Sequence, residues 1–235
     1  MMDIVPALLE RIEHDFRNRF FNNNKLRSIR GLIDNGTATY RQAQEYAVEV
    51  GKILSEVYEL HLTEEVLPDG KMYYNIAERI LTPTLSNNYT LTVEVSAEIQ
   101  EILNKKAGLN LKAVKPKVNR DRIEGFINRI STEESFDEIS WILKDPVVNF
   151  TQSAADETLK QNVDFQGKSG LYPKIIRTTY GRNPCKWCLE MEGTYKYPNV
   201  PEGVYRRHEN CYCGVEYDPG DARRQNVWTK RWRSL

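Results

Sequence analysis

Apolar residues recur at helical spacing through most of the first 165 positions. The first stripe repeats every three or four residues, as expected for one face of an amphipathic helix. Its members are Val5, Leu8, Leu9, Ile12, Phe16 and Phe20. The run of asparagines at 22–24 predicts the end of this helix. A second, shorter helix is predicted over 26–33, and the turn residues at 34–36 stop it.

The clearest helical pattern follows Thr39, which forms a predicted capping box with Gln42. The apolar positions behind it share one face: Ala43, Tyr46, Ala47, Val50, Ile53, Leu54, Val57 and Leu60. Turn residues at 67–70 close this helix. The remaining predicted helices cover 73–81, 91–103, 120–130, 136–143 and 147–163. Asn119 is the predicted N-cap of the helix at 120–130, and the stretch 112–118 is a predicted extended connector.

The pattern changes near residue 167, where helical periodicity stops and Pro, Gly, Tyr, Cys and Arg become frequent. Residues 166–170 are a predicted flexible hinge. Short β-branched and aromatic runs predict strands at 175–180, 193–197 and 211–217. The expected fold class is therefore α+β, with a mostly α-helical N-terminal region at 1–166 and a small β-hairpin module at 167–217. A basic aromatic tail occupies 218–235.

All four cysteines lie in one short C-terminal motif. Its order is Cys185-x2-Cys188, then a long gap, then His208-x2-Cys211-x-Cys213. Cys-x2-Cys turns direct two thiolates at one tetrahedral ion, and the second cluster supplies further donors. The motif predicts a structural Zn²⁺ site that stabilises the β-hairpin module, with five candidate ligands for four places. The spacing alone leaves the choice among them open, since the site is all-sulfur or includes His208.

Three other interpretations of the cysteines are weaker. Two disulfides are disfavoured because the N-terminal sequence has no basic start and no long apolar stretch, so we expect no secretory signal. A redox Cys-x2-Cys is expected within a βαβ pattern, which the surrounding sequence lacks. A catalytic zinc requires an open coordination position, and four or five candidate ligands leave none.

A balanced total of 33 Lys/Arg and 33 Asp/Glu hides an uneven distribution of charge along the chain. Residues from 167 onward carry 13 basic and 7 acidic side chains, so the preceding part is acidic. The tail interleaves cations with tryptophans, at Arg223, Arg224, Trp228, Lys230, Arg231, Trp232 and Arg233. Such a tail is suited to phosphate neutralisation and stacking, or to insertion into a protein groove. We expect it to contact protein or nucleic acid, and we expect no membrane span.

The C-terminal motif resembles the signature of the MuF-like minor head proteins, the head morphogenesis family of tailed bacteriophages. That signature runs Cys-x2-Cys, a Leu/Met-x-Gly step and His-x-Asn-Cys-x-Cys, followed by a short β segment. The matching stretches are 182–188, 191–195 and 207–213. The helical residues 104–109 and 119–130 are similar to the helical part of such proteins. Glu209 and Tyr212 stand where the signature usually has Pro and Arg.

The resemblance implies a minor capsid protein of the virion, present in a few copies and associated with the portal vertex and head interior. It implies a role in head assembly, DNA packaging or genome ejection, with the portal protein, the major capsid protein and packaged DNA as partners. Such a protein is made in the bacterial host cytoplasm and is not an enzyme. Two alternatives are a zinc-supported nuclease, with His208 as general base, and a nucleic-acid-binding regulator that uses the tail.

Overall fold

The computed structural model describes residues 3–179, 184–207 and 213–219, together with the backbone of 224–225 and 232–233. It is an α+β protein, as the pattern predicts, with a helical body followed by a small antiparallel sheet. The helices are α1 Val5–Asn22, α2 Asn24–Asp34, α3 Tyr40–His61, α4 Tyr74–Lys106, α5 Arg120–Ser131, α6 Phe136–Ile139, α7 Asp145–Lys168 and α8 Lys186–Glu190. The strands are β1 Lys174–Thr178, β2 Gly193–Lys196, β3 Gly214–Asp218, β4 Arg224–Gln225 and β5 Trp232–Arg233.

Local sequence signals explain where the first three helices begin and which face they bury. The predicted stripe of α1 is the buried face of that helix, with Leu8 and Ile12 fully enclosed. The side chain of Asn23 accepts a hydrogen bond from the Leu26 amide, so the asparagine run both ends α1 and caps α2. The predicted capping box at the start of α3 is present. These helices form where propensity, capping and burial agree.

Helix α4 corrects the prediction of two separate helices at 73–81 and 91–103, because it is continuous through Pro83. Proline removes one helical hydrogen bond, yet the Thr84 hydroxyl donates to the Ile80 carbonyl at 2.6 Å and the helix continues. The buried face of α4 is polar over much of its length, which hid its periodicity. Side chains four residues apart form this buried stripe: Thr84, Asn88, Thr92, Ser96, Gln100 and Asn104.

Two further expectations about the helices differ from the structure. The range 136–143 is one turn of α-helix followed by a 3-10 helix at Ser140–Leu143. The predicted hinge at 166–170 is wrong in part, because α7 extends through Lys168. The turn that follows this helix begins only at Ser169. The side chain of Gln166 explains this, since it is buried and hydrogen-bonded at the end of α7.

The core of the helical body lies where α3 packs against α4 and α7, with α1 and α2 against α3. Gly51 of α3 allows α7 to approach closely, because a Cβ added there would lie 2.8 Å from the Cα of Val148. Phe150 of α7 contacts the rings of Tyr89 and Phe126 in this core. Asn88 joins the same helices by donating to the Val50 carbonyl and the Thr151 hydroxyl, both at 3.2 Å.

The sheet has the strand order β2-β1-β3, and both pairs are antiparallel. It packs on α3 and α7 through β3. Its buried apolar side chains Ile175, Val215 and Tyr217 belong to the same core cluster as those of the helices, and so does Val204 of the 3-10 helix Glu202–Tyr205. The predicted division at 166–167 therefore separates two parts that share one apolar core, and the division into domains stays a prediction.

The structure also bears on the expected absence of a membrane span. None of the helices among the described residues has an apolar stretch long enough to cross a bilayer.

Candidate metal centre

The first pair of candidate ligands lies on a tight turn that opens α8. Cys185 is the N-cap residue of this short helix, and the amide of Cys188 donates to Cys185 Sγ at 3.3 Å. This hydrogen bond directs the sulfur of Cys185 toward the backbone of the first turn of α8. Cys185 is exposed, whereas Cys188 is only 2% exposed.

The second half of the motif returns to the same place through the sheet. Cys213 directly precedes β3 and is 4% exposed. It forms one buried cluster with Cys188, against which Trp187 packs. The fold thus brings together one cysteine from each half of the motif, although 24 other residues separate them in sequence.

The end of β1 supplies polar groups to both of these cysteines. A nitrogen of the Arg177 guanidinium lies 4.0 Å from Cys188 Sγ. The hydroxyl of Thr179 donates to the Cys188 carbonyl at 3.3 Å and lies 3.9 Å from Cys213 Sγ. Because alternate residues of an extended segment share a face, positions 177 and 179 both point at the cysteine cluster.

The donor chemistry at this cluster suits the predicted ion. Thiolates are preferred zinc ligands, and buried polar groups that contact the ligands and orient them are usual at such sites. No disulfide joins any two of the described cysteines 185, 188 and 213. The remaining candidates, His208 and Cys211, lie outside the described residues. Within the described ranges, no three His, Cys, Asp or Glu side chains are grouped closely enough to hold a metal ion. The zinc site therefore stays a prediction.

A buried ion pair connects the cysteine cluster to the helical body. The Arg207 guanidinium donates to both carboxylate oxygens of Asp156 on α7, with one contact at 2.8 Å, and to the side chain of Gln44 on α3. Its third nitrogen donates to the Cys213 carbonyl at 2.7 Å. The side chains of the pair are 5% and 4% exposed. Arg207 immediately precedes His208, so one side chain ties the second half of the motif to two helices.

A chain of buried hydrogen bonds forms a second connection between sheet and helices. The Tyr217 hydroxyl on β3 donates to Gln166 at 2.5 Å, and Gln166 donates to Asn104 at 2.9 Å. Gln100 donates to the same Asn104 oxygen at 2.8 Å and accepts from Tyr40 at 2.8 Å. Burial raises the pKa of Tyr217 to about 12, so this hydroxyl is protonated and donates at neutral pH.

The predicted contact residues of the tail are described only in part. Strands β4 and β5 pair antiparallel, with Arg224 opposite Arg233 and Gln225 opposite Trp232. The side chains of these residues lie outside the described part, as do the remaining tail residues Arg223, Trp228, Lys230 and Arg231 in full. Their role as a contact surface stays a prediction.

Sequence reasoning missed Arg177, Thr179, Arg207 and Asp156 as parts of the site. A signal for Arg177 was present, because Ile175 and Arg177 occupy the same face of a short predicted strand and that face must be the buried one. Asp156 lies on the buried face of α7 beside Ala155 and Leu159, where a carboxylate requires a partner. Arg207 offered only its position beside His208.

Comparisons were made with protein-family models, with curated proteins and with solved structures, and none of them matches this chain.

Proposed function

We propose that this chain is a minor capsid protein of a tailed bacteriophage, a structural component of the head interior at the portal vertex. One observation carries the proposal. The motif that resembles the MuF-like signature spans 185–213, and Cys188 and Cys213 from its two halves belong to one buried cluster. A motif whose halves meet in the fold is a better basis for a resemblance than spacing in sequence alone.

The proposed ion is a structural Zn²⁺ held by four of Cys185, Cys188, His208, Cys211 and Cys213. Strands of four or five residues bury little apolar surface, and a bound metal adds folding free energy on the order of 10 kcal/mol at neutral pH. Four protein ligands fill a tetrahedral zinc and leave no position for a reacting water. We therefore propose no enzymatic activity.

The contacts around the motif favour a static role. Arg207 binds two helices and the Cys213 carbonyl at once, and the Tyr217 hydroxyl binds Gln166 beyond it. Buried, directional contacts of this kind hold the sheet in one orientation on the helical body. A part with a fixed shape suits a component that occupies one place in an assembly.

The uneven charge favours two kinds of neighbour. The acidic helical body offers a surface for the portal protein or the major capsid protein, and the basic end from residue 167 onward suits packaged DNA. Within the proposal, head assembly, DNA packaging and genome ejection are the processes in which such a protein acts, and it is present in a few copies per virion.

Quantitative mass spectrometry of gradient-purified virions tests the proposal. Virions come from the replicon that carries this gene, and the chain is measured relative to the major capsid protein. We expect a low, constant ratio across the particle peak, and reduced infectivity or DNA content in particles made without the chain. Cells that express the chain without the other head genes provide the control for co-sedimentation.

Two outcomes would overturn the proposal. The chain could be absent from purified particles while it is abundant in the infected cell. The purified chain could also nick plasmid DNA in a metal-dependent manner, with the activity lost in His208→Ala, and this result would assign the motif to a nuclease.

A further inference from the structure

Arg177 occupies an unusual place for a charged side chain. It lies on β1, the central strand of the sheet, and is 1% exposed. Among the described residues it is the largest side chain that is fully buried, ahead of Tyr40 and Tyr58. A guanidinium is charged at any pH at which the protein is folded, so the fold must compensate a permanent buried cation here.

The guanidinium connects two segments of the cysteine motif. One nitrogen donates to the backbone carbonyls of Val204 and Arg206, the latter at 3.0 Å, in the segment that leads into His208. The other terminal nitrogen lies 4.0 Å from Cys188 Sγ in the first half of the motif. The plane of the guanidinium also lies over the Trp187 ring, with its carbon 4.9 Å from the ring centroid.

The groups that the guanidinium contacts also complement its positive charge. Carbonyl oxygens supply partial negative charge, and a thiolate beside the guanidinium supplies a full one. A zinc ion bound to three or four thiolates carries a net negative charge, which a buried cation stabilises. The planar fork of an arginine reaches the carbonyls and the sulfur at once, whereas the single ammonium of a lysine cannot hold both positions.

We propose that Arg177 is a positioning residue of the proposed zinc site, which balances the charge of the sulfur ligands and holds the Cys185–Cys188 turn against the segment that leads into His208. The inference rests on that zinc site. It assigns to β1 a role beyond sheet formation, since this strand carries the cation that lies beside Cys188 Sγ.

Competition with a chromophoric chelator on the purified full-length chain measures the zinc affinity that tests the inference. We expect Arg177→Met to lower the affinity about 10- to 100-fold, the range usual when a side chain that contacts a metal ligand is lost. Arg177→Lys is expected to have an intermediate affinity, because it keeps the charge and loses the fork. Lys174→Met is the matched control, since Lys174 is a half-exposed cation of the same strand, paired with Asp218 at 3.6 Å. It should leave the affinity unchanged.

A second measurement separates metal positioning from general packing. Thermal midpoints of the zinc-loaded and zinc-free forms are compared for wild type and for each variant. Positioning predicts a larger loss of stability in the loaded form, while a purely structural role predicts equal losses and an unchanged affinity. In the cobalt-substituted protein, the sulfur-to-metal charge-transfer band should also shift in Arg177→Lys, which keeps the test available if Arg177→Met does not fold.

Two results would overturn the inference, and they are distinguishable. A wild-type chain that binds no zinc removes the metal site and the inference together. A wild-type chain that binds zinc, with Arg177→Lys of equal affinity and an unshifted cobalt spectrum, removes the role of Arg177 alone. The assay uses purified protein, so its result is independent of the capsid proposal.

Discussion

The helical body and the C-terminal sheet bury different kinds of side chain. In the body, the apolar faces of α1 and α3 pack against apolar and mostly uncharged polar side chains of α4 and α7, around aromatic residues such as Phe150. In the sheet, short strands bury few apolar groups, and the interior adds Arg177, two cysteines and the ion pair of Arg207. Apolar burial tolerates local change, whereas buried charge depends on a complete set of partners. Replacement of a single buried charged residue should therefore detach the sheet from the helical body.

Replacement of Asp156 should destabilise the sheet more than any other substitution proposed below. Asp156→Ala leaves the buried Arg207 cation without its carboxylate, which typically costs about 3–5 kcal/mol. We expect the sheet to lose its attachment while α1 and α2 stay folded. Hydrogen exchange measured by mass spectrometry should show lost protection in β1 and β3.

The neighbouring Glu157 provides the control for this prediction, because it lies on the same helix and is only half-buried. Glu157→Ala should leave protection of the sheet intact. Uniform loss of protection across α1–α7 in Asp156→Ala would contradict the difference between the two regions.

A substitution of Gly51 tests the close packing of α3 against α7 in the helical body. In Gly51→Ala the new Cβ would lie 2.8 Å from the Cα of Val148, so α3 and α7 must separate. Overpacking of this kind costs about 1–3 kcal/mol. Urea denaturation followed by circular dichroism at helical wavelengths gives the free energy of unfolding.

Gly125 is the matched control, since a Cβ added there meets nothing within 4 Å on helix α5. Gly125→Ala should stabilise the protein by about 0.4–1 kcal/mol, because alanine restricts the unfolded chain. Destabilisation by both substitutions would show that close packing between α3 and α7 is not what Gly51 provides.

The Tyr217 hydroxyl links the two regions. Its removal should lower the free energy of unfolding by less than the substitutions of Asp156 and Gly51. Tyr217→Phe removes its hydrogen bond to Gln166 and should lower the free energy of unfolding by about 0.5–1.5 kcal/mol. Tyr195→Phe, which loses a hydrogen bond to the Met191 carbonyl in a half-buried place, should cost less. Equal effects in urea denaturation would contradict the link.

The pH dependence of stability is expected to be the smallest of these effects near neutral pH, because the buried tyrosines titrate only in alkaline solution. Burial raises the pKa of Tyr46, Tyr89 and Tyr217 to about 12 in the folded chain. The folded state therefore holds these protons more tightly than the unfolded state. Their contribution is complete below the ordinary tyrosine pKa near ~10 and is lost as the pH rises toward 12. Tyr217→Phe should reduce the slope of stability against pH in this window, and an unchanged slope would contradict the assignment.

The helices show how far the sequence could be interpreted. Helix α3 was predictable because its buried stripe is apolar and its capping box is local. Helix α4 appeared as two pieces because its buried stripe is polar, from Thr84 to Asn104, and Pro83 lies within it. Some of those polar side chains have partners on α3 and α7: Asn88 donates to Val50 and Thr151, and Gln100 accepts from Tyr40. Such partners are remote in sequence and have no periodic signature.

The candidate site was likewise predictable from the sequence only in part. Cysteine spacing located the motif, and the approximate positions of β1, β2 and β3 followed from β-branched and aromatic runs. The groups that surround the sulfur atoms did not follow, because Arg177 approaches Cys188 through the sheet and Arg207 finds Asp156 on α7. Long-range contacts of this kind depend on the tertiary fold.

Metal analysis of the full-length chain, combined with hydrogen exchange on the same sample, tests the central claim most directly. The account predicts about one zinc per chain purified from zinc-supplemented cells. It also predicts that Cys188→Ser loses both the metal and the protection of β1–β3, while α1 and α2 keep theirs. His14→Ala, an exposed histidine outside the motif, should keep both. A metal-free wild-type chain with a fully protected sheet would contradict the account.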